Sequence, residues 1–188
     1  MSDRASVIVL TPPGPDDVEA LLAFELENRA FFEARINARP ASYYSHEGVA
    51  DAIAAAIRDA QADIAHQFLI RDAAGAIVGR VNLTRIRRTH FHSAEIGYRI
   101  GEAHNGRGYA RDAVRTALEY AFDTLRLQRV EAVASPENAG SIRVLARNGF
   151  VQYGHSRRSF QLDGRWYDTL HFERHADGAP PATQTENR

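Results

Sequence analysis

The sequence predicts a mixed α/β fold in one domain. Three observations carry this reading: short β-type runs alternate with helical patterns, a long apolar stripe of helical period lies mid-chain, and no segment repeats. The 188 residues suit a single domain. A chain of that length buries roughly 70% of the surface its unfolded form exposes, so folding needs neither disulfide nor metal.

Ser6–Leu10, SVIVL, reads as a first strand stopped by TPPGP. Asp16 or Asp17 can cap the helix that follows, with Val18, Leu21, Leu22 and Glu25 at helical spacing. The aromatic stretch from Asn28 to Gly48 reads as a short helical piece and a loop. Val49 to Ala62 reads as a second helix, with Val49, Ile53, Ile57 and Ala60 on one face. QFLIRD and AIVGRVNLTRIRR are two strands around a turn at Asp72–Gly75. Ser93–Ile100, SAEIGYRI, is a further strand alternating through Ile96, Tyr98 and Ile100.

The cleanest helix comes next. Ala110, Ala113, Val114, Ala117, Leu118, Ala121 and Phe122 form an apolar stripe that must pack on something flat. RVEAVAS is a strand, NAGSIRVLARNGF a helix closing on Gly149, and SFQLDGRWYDTLHFER two strands around Asp163-Gly164. The order predicts a sheet that is antiparallel in its first half, with a crossover helix in the middle. From Ala176 the chain lacks apolar anchors, so the domain is set at residues 1–175 and a disordered tail at 176–188.

Composition removes several chemistries. There is no cysteine, which excludes disulfides, Cys-ligated zinc, iron–sulfur clusters and thiol catalysis. All 23 basic residues are arginines, so neither a P-loop lysine nor a Schiff-base lysine exists. The net charge of −1 gives no footprint of a direct nucleic-acid binder. MSDRASVIVLTPPGPDD has only a five-residue apolar run, too short for a signal h-region, and nothing approaches a membrane span. The expectation is a cytoplasmic protein with no membrane partner. His90 and His92 share a strand face and His171 and His175 lie four apart, but no third ligand stands at motif spacing, so no metal is expected. No G-x-S-x-G is present, which leaves serine hydrolysis without support.

The segment HNGRGYARDA, His104–Ala113, places two glycines and an alanine where the long helix begins. It can be a direction-changing turn. It can equally be an anion cradle, because first-turn N–H groups lack partners and the helix dipole is positive there. A Walker motif is excluded by the missing lysine. A dinucleotide fingerprint would need glycine at Arg111. Asn105-Gly106-Arg107-Gly108-Tyr109-Ala110 fits the acyl-CoA loop pattern Q/R-x-x-G-x-G/A except at its first position.

Glu137–Phe150, ENAGSIRVLARNGF, resembles the other signature of the GNAT superfamily of acyl-CoA-dependent N-acetyltransferases: an Asn, an apolar helix, then Gly-Phe. The likeness runs from about Val7 to Arg174. NRAFFEARINARPASYYSHEG, EIGYRI, NGRGYA, NAGSIRVLARNGF and DGRWYDTLHFE each resemble segments of the RimJ/RimL-type N-terminal acetyltransferases, in order. The resemblance implies the GNAT fold, a central and mostly antiparallel sheet with a V-shaped split and helices on both faces. It implies acetyl-CoA as co-substrate and direct attack of an amine on the thioester. The acceptor it suggests is a protein N-terminus of the ribosomal-protein kind; a small amine such as an antibiotic or polyamine, or a CoA-binding module without catalysis, are the rivals. A homodimer stays open.

Site residues follow from that resemblance. Backbone N–H groups of Gly106, Arg107, Gly108, Tyr109, Ala110 and Arg111, after Asn105, would take the pyrophosphate. The exposed backbone of Tyr98, Arg99 and Ile100 would pair with pantetheine amides, and an N–H there would polarise the carbonyl. Leu145 stands where many members carry a catalytic tyrosine, and Ser141 stands where RimJ/RimL-type members have a serine. Ser141 is therefore the candidate acid, or a serine bonded to its own helix. Asn138 is a CoA contact, an N-cap, or both. Glu95 is the candidate base through water, or a solvent-facing strand residue. Arg85–Arg88 is a solvated strand end or a contact of the 3′-phosphate. Two departures stand out: Asn105 replaces the usual Gln/Arg, and FFEARINARP lacks the family's tryptophan and proline in the part that shapes the acceptor groove.

Overall fold

The computed structural model describes residues 8–34, 38–162 and 164–177. The chain order is β1 (Val9–Thr11), α1 (Val18–Glu27), α2 (Arg29–Glu33), α3 (His46–Gln61), β2 (His66–Arg71), β3 (Ile77–Arg87) and β4 (Ser93–Ile100). Then come α4 (Tyr109–Glu119), β5 (Arg129–Ala134), α5 (Ala139–Arg147), β6 (Val151–Leu162) and β7 (Arg165–His175). The strands form one seven-stranded sheet in the order β1-β2-β3-β4-β5-β7-β6. All pairings are antiparallel except β4 with β5. That parallel step is the crossover made by α4, as the middle helix requires.

Helices cover both faces. The α4 stripe buries Ala113, Val114 and Ala117 completely, and Ala121 in the π-helical turn Tyr120–Thr124 continues it, against Phe68, Ile70, Val81, Leu83, Ile96 and Ile100 of the sheet. On the opposite face Val18, Leu21 and Phe24 of α1 and Val49 and Ile53 of α3 close over Leu69. Phe68 and Ile70 therefore point one way and Leu69 the other, which is why FLI reads as a continuous apolar run.

Several boundaries differ from the sequence reading. Helix α3 starts at His46, because Ser45 Oγ accepts from Gly48 N–H at 3.0 Å and caps it before the apolar stripe begins. Asp17 caps no helical N–H; its carboxylate accepts from Gly14 N–H at 2.9 Å and pairs with Arg71. Strand β6 begins at Val151, eight residues before Ser159. Its edge position, paired only with β7, leaves it exposed and removes the alternation that would mark it. His90 and His92 lie in a turn with positive φ rather than on a strand face. Ser6 and Val7, Asp163 and residues 178–188 of the expected tail lie outside the described residues.

Candidate active site

The parallel pairing of β4 and β5 runs only through Ser93↔Arg129, Ala94↔Val130 and Glu95↔Glu131. Beyond Glu95 the two strands part, and among the described residues no strand pairs with Ile96–Ile100 on that side. A cavity of about 640 Å³ fills the split. Its lining comes from both sides of the sheet.

Alternation along β4 divides that lining. Ala94, Ile96, Tyr98 and Ile100 face α4 and α5, and Arg99 faces α1 and α2. Tyr98 reaches α5: its hydroxyl lies 2.9 Å from Ser141 Oγ and donates to the Ser141 carbonyl at 3.3 Å. Burial pushes the Tyr98 phenol up to about 12, with the Ser141 hydrogen bond pulling the other way. Ser141 sits one turn into α5, whose N-cap is Asn138; Asn138 Oδ1 accepts from Ser141 N–H at 3.0 Å. The serine hydroxyl thus has the phenol as its partner instead of its own helix.

The loop between β4 and α4 forms the next wall. Gly106 and Gly108 have φ of +77° and +84°, and Gly108 is the N-cap of α4 with no side chain capping it. The first intrahelical bond runs from Asp112 N–H to the Gly108 carbonyl, so the helix presents its first turn to the cavity. Nothing stands within 4 Å of where a Gly106 Cβ would lie. Asn105 donates its amide to the Gly101 and Glu102 carbonyls, at 3.2 and 3.3 Å, and shapes the loop. Asn28 at the end of α1 accepts from Glu102 N–H at 2.8 Å. Asn148 donates to the Arg111 carbonyl at 3.2 Å and so fixes α5 against the first turn of α4.

Of the expected residues, Tyr98, Arg99, Ile100, Asn105, Gly106, Gly108, Tyr109, Ala110, Arg111, Asn138 and Ser141 all line this cavity. Two do not. Arg107 is exposed and outside the lining. Glu95 sits at the closed end of the split, on the last paired rung, and its carboxylate pairs with Arg85 at 2.8 Å. Arg87 and Arg88 likewise hold Glu131 and Asp63 rather than the cavity. Residues the sequence reading passed over complete the lining. Arg143 and Arg147 stand one helical turn apart on the α5 face that carries Gly140 and Val144, a spacing that was there to be read. Phe31, Phe32, Arg39, Arg80 and Asn82 form the wall on the α1–α2 side.

A glycine-bounded helix start, arginines beside it and an unpaired strand edge make a site for a phosphate-bearing, amide-bearing ligand. Residues 8–151 match the family described as Acetyltransferase (GNAT) domain. The chain belongs to the GNAT acetyltransferases. It is 36% identical over 88% of its length to the probable N-acetyltransferase YjcK of Bacillus subtilis (strain 168), covering 92% of that protein. Shorter matches join it to a spermidine N(1)-acetyltransferase of Vibrio cholerae, 33% identical over 54% of this chain and 58% of that one. They also join it to the [ribosomal protein uS5]-alanine N-acetyltransferase of Escherichia coli (strain K12), 34% identical over 49% of this chain and 47% of that one. Among solved structures, Mycobacterium smegmatis RimJ in complex with CoA-disulfide is 26% identical with a TM-score of 0.85, over 95% of this chain and 86% of that one. This GNAT chain is an acetyl-CoA-dependent N-acetyltransferase, and the split between β4 and β5 is its fold's expected V. Among the described residues no helix is long and apolar enough to cross a membrane, and no group of three or more His, Asp or Glu is placed to hold a metal.

Proposed function

We propose that the chain acetylates the N-terminal α-amino group of a protein by direct attack within a ternary complex. The observation that carries this is one cavity reaching both faces of the sheet, lined by the α4–α5 loop side and by the α1–α2 wall. Two substrates entering from opposite faces would meet beside Gly97 and Tyr98.

Acetyl-CoA supplies the thioester. The first turn of α4 and the guanidinium groups of Arg111, Arg143 and Arg147 hold the phosphates, and the open edge of Tyr98–Ile100 takes the pantetheine amides as an added strand would. An N–H on that edge polarises the thioester carbonyl, a role typically worth about 3 kcal/mol per donor. As the amine nitrogen bonds to the carbonyl carbon and the C–S bond breaks, the sulfur leaves as a thiolate to which the Ser141 hydroxyl donates a hydrogen bond, and any proton passed on through Ser141 is replaced from water. The Ser141 oxygen lies 2.9 Å from the Tyr98 hydroxyl, which the raised pKa keeps protonated. Asn138 contributes by fixing the first turn of α5.

The proton lost by the amine goes to water. An α-amino group of pKa about 7.7–8.0 leaves roughly a tenth neutral at pH 7, so it needs no dedicated carboxylate, whereas an amine near ~10.4 would. The placement of Glu95 outside the cavity agrees with an acceptor of the first kind. The named uS5-alanine relative supports this acceptor class, and the spermidine relative supports a small amine. A polycation would call for carboxylates on the acceptor wall, and that wall carries arginines. Thiol release from acetyl-CoA, measured against a library of N-terminal peptides and a panel of polyamines, tests the proposal. Turnover confined to the polyamines overturns it.

A further inference from the structure

The acceptor wall is built on a buried charge cluster that does not balance. Arg80 Nη1 donates to Glu25 Oε1 at 2.9 Å, and Arg99 Nη2 donates to the same oxygen. The side chains of Glu25, Arg80 and Arg99 are only 1%, 6% and 15% exposed. Tyr43 donates to that oxygen too, at 3.2 Å. Arg39 adds a third guanidinium, stacked on Tyr43 at 4.2 Å, and no carboxylate among the described residues pairs with it. One carboxylate therefore serves two buried guanidinium groups with a third arginine close by, and all three arginines line the cavity. Burial lowers the Arg99 guanidinium to about 10 against the pull of Glu25, with Arg80 and Arg39 adding repulsion. Buried charge left uncompensated is costly, and an incoming anion would offset it through charge-assisted bonds.

The position of the cluster sets where that anion belongs. Arg80 pairs in register with Arg99, and Asn82 with Gly97, on the face opposite Tyr98. Asn82 Oδ1 is buried without a partner and lines the cavity, an acceptor for an amine N–H. Arg99 lies two residues further along β4 than Gly97, roughly 7 Å at 3.3 Å per residue. Amine and anion on the same acceptor would thus be separated by one to two residues of extended chain.

We infer that the α1–α2 wall selects acceptors with a carboxylate close to the reacting amine, an acidic N-terminal peptide in particular, and disfavours polycations. This rests on the acetyl-acceptor reading above, so its test separates the two. Peptides beginning Ser-Asp, Ser-Asn and Ser-Arg, otherwise identical, are titrated by calorimetry into the CoA-loaded protein and assayed for turnover with acetyl-CoA. The Ser-Asp peptide binds about tenfold tighter than Ser-Asn or more, the span of one to two hydrogen bonds to a charged group, and Ser-Arg binds weakest. Arg39→Gln, at the partly exposed rim, brings Ser-Asp and Ser-Asn within about twofold of each other while the fold is retained. Equal affinity in the wild type overturns the inference, as does a preference that survives in Arg39→Gln. A binding preference without acetyl transfer to any peptide leaves the anion site standing and overturns the proposed acceptor instead.

Discussion

The Tyr98 hydroxyl lies 2.9 Å from Ser141 Oγ, a contact that joins β4 to α5 across the split where the sheet is open. It places a protonated phenol behind the hydroxyl that faces the cavity. Ser141→Ala should lower kcat about tenfold to a hundredfold and leave acetyl-CoA affinity within about threefold. The low end of general-acid effects is expected because a thiol with pKa about 8.5 departs readily as thiolate. Steady-state kinetics with calorimetric binding checks this, and unchanged kcat removes Ser141 from the chemistry.

Tyr98 also gives the contact a pH signature. Its pKa is raised from 10.0 to about 12 in the folded state by burial. The folded state therefore prefers the protonated phenol. The corresponding stability is fully present below pH 10 and is lost as pH rises from 10 through about 12. Denaturation of wild type and Tyr98→Phe across that window should show the wild type losing more stability than the variant. Parallel losses would contradict the burial argument.

Gly108 has φ of +84° as the N-cap of α4. Gly108→Val should abolish acetyl-CoA binding, since a branched side chain both strains the left-handed backbone by about 1–2 kcal/mol and fills the approach to the first turn. Asn105→Gln keeps an amide near the Gly101 and Glu102 carbonyls and should alter affinity by less than about threefold. Calorimetry on the two variants separates a backbone cradle from side-chain recognition.

Glu25 is the shared acceptor of Arg80, Arg99 and Tyr43. Glu25→Gln leaves two buried guanidinium groups without their counter-charge and should destabilise the fold by about 3–5 kcal/mol. Glu95→Gln breaks only an exposed pair with Arg85, worth about 0.5 kcal/mol, and should keep kcat within about threefold. Chemical denaturation and initial rates read both. A large loss of kcat in Glu95→Gln would restore it as the base.

The parts of this fold that were legible in the sequence are those carried by period. The α4 stripe, the alternation of β4 and the glycines before α4 each impose a local pattern, and all three appear in the structure as read. Tyr98 shows where that stops. Alternation assigns its side chain to the core face, but only the packing of α5 decides that its hydroxyl meets Ser141. The placement of Glu95 outside the cavity lining shows the same limit. Glu95 shares a face with Arg99, yet the split opens one residue beyond it, and the rung at which two strands part leaves no mark in either sequence. Buried Arg80 and Arg99 look like solvated strand charges until Glu25, far away in the chain, is folded onto them.

The claim that this cavity joins acetyl-CoA to an α-amine is tested most directly on one peptide carrying a free α-amino group and a lysine. After incubation with acetyl-CoA and the protein, fragment mass spectrometry locates the acetyl group. The account predicts acetyl on the α-amine alone, with the signal lost in Gly108→Val. Acetyl on the lysine side chain, or transfer to spermidine while the α-amine stays free, would contradict it.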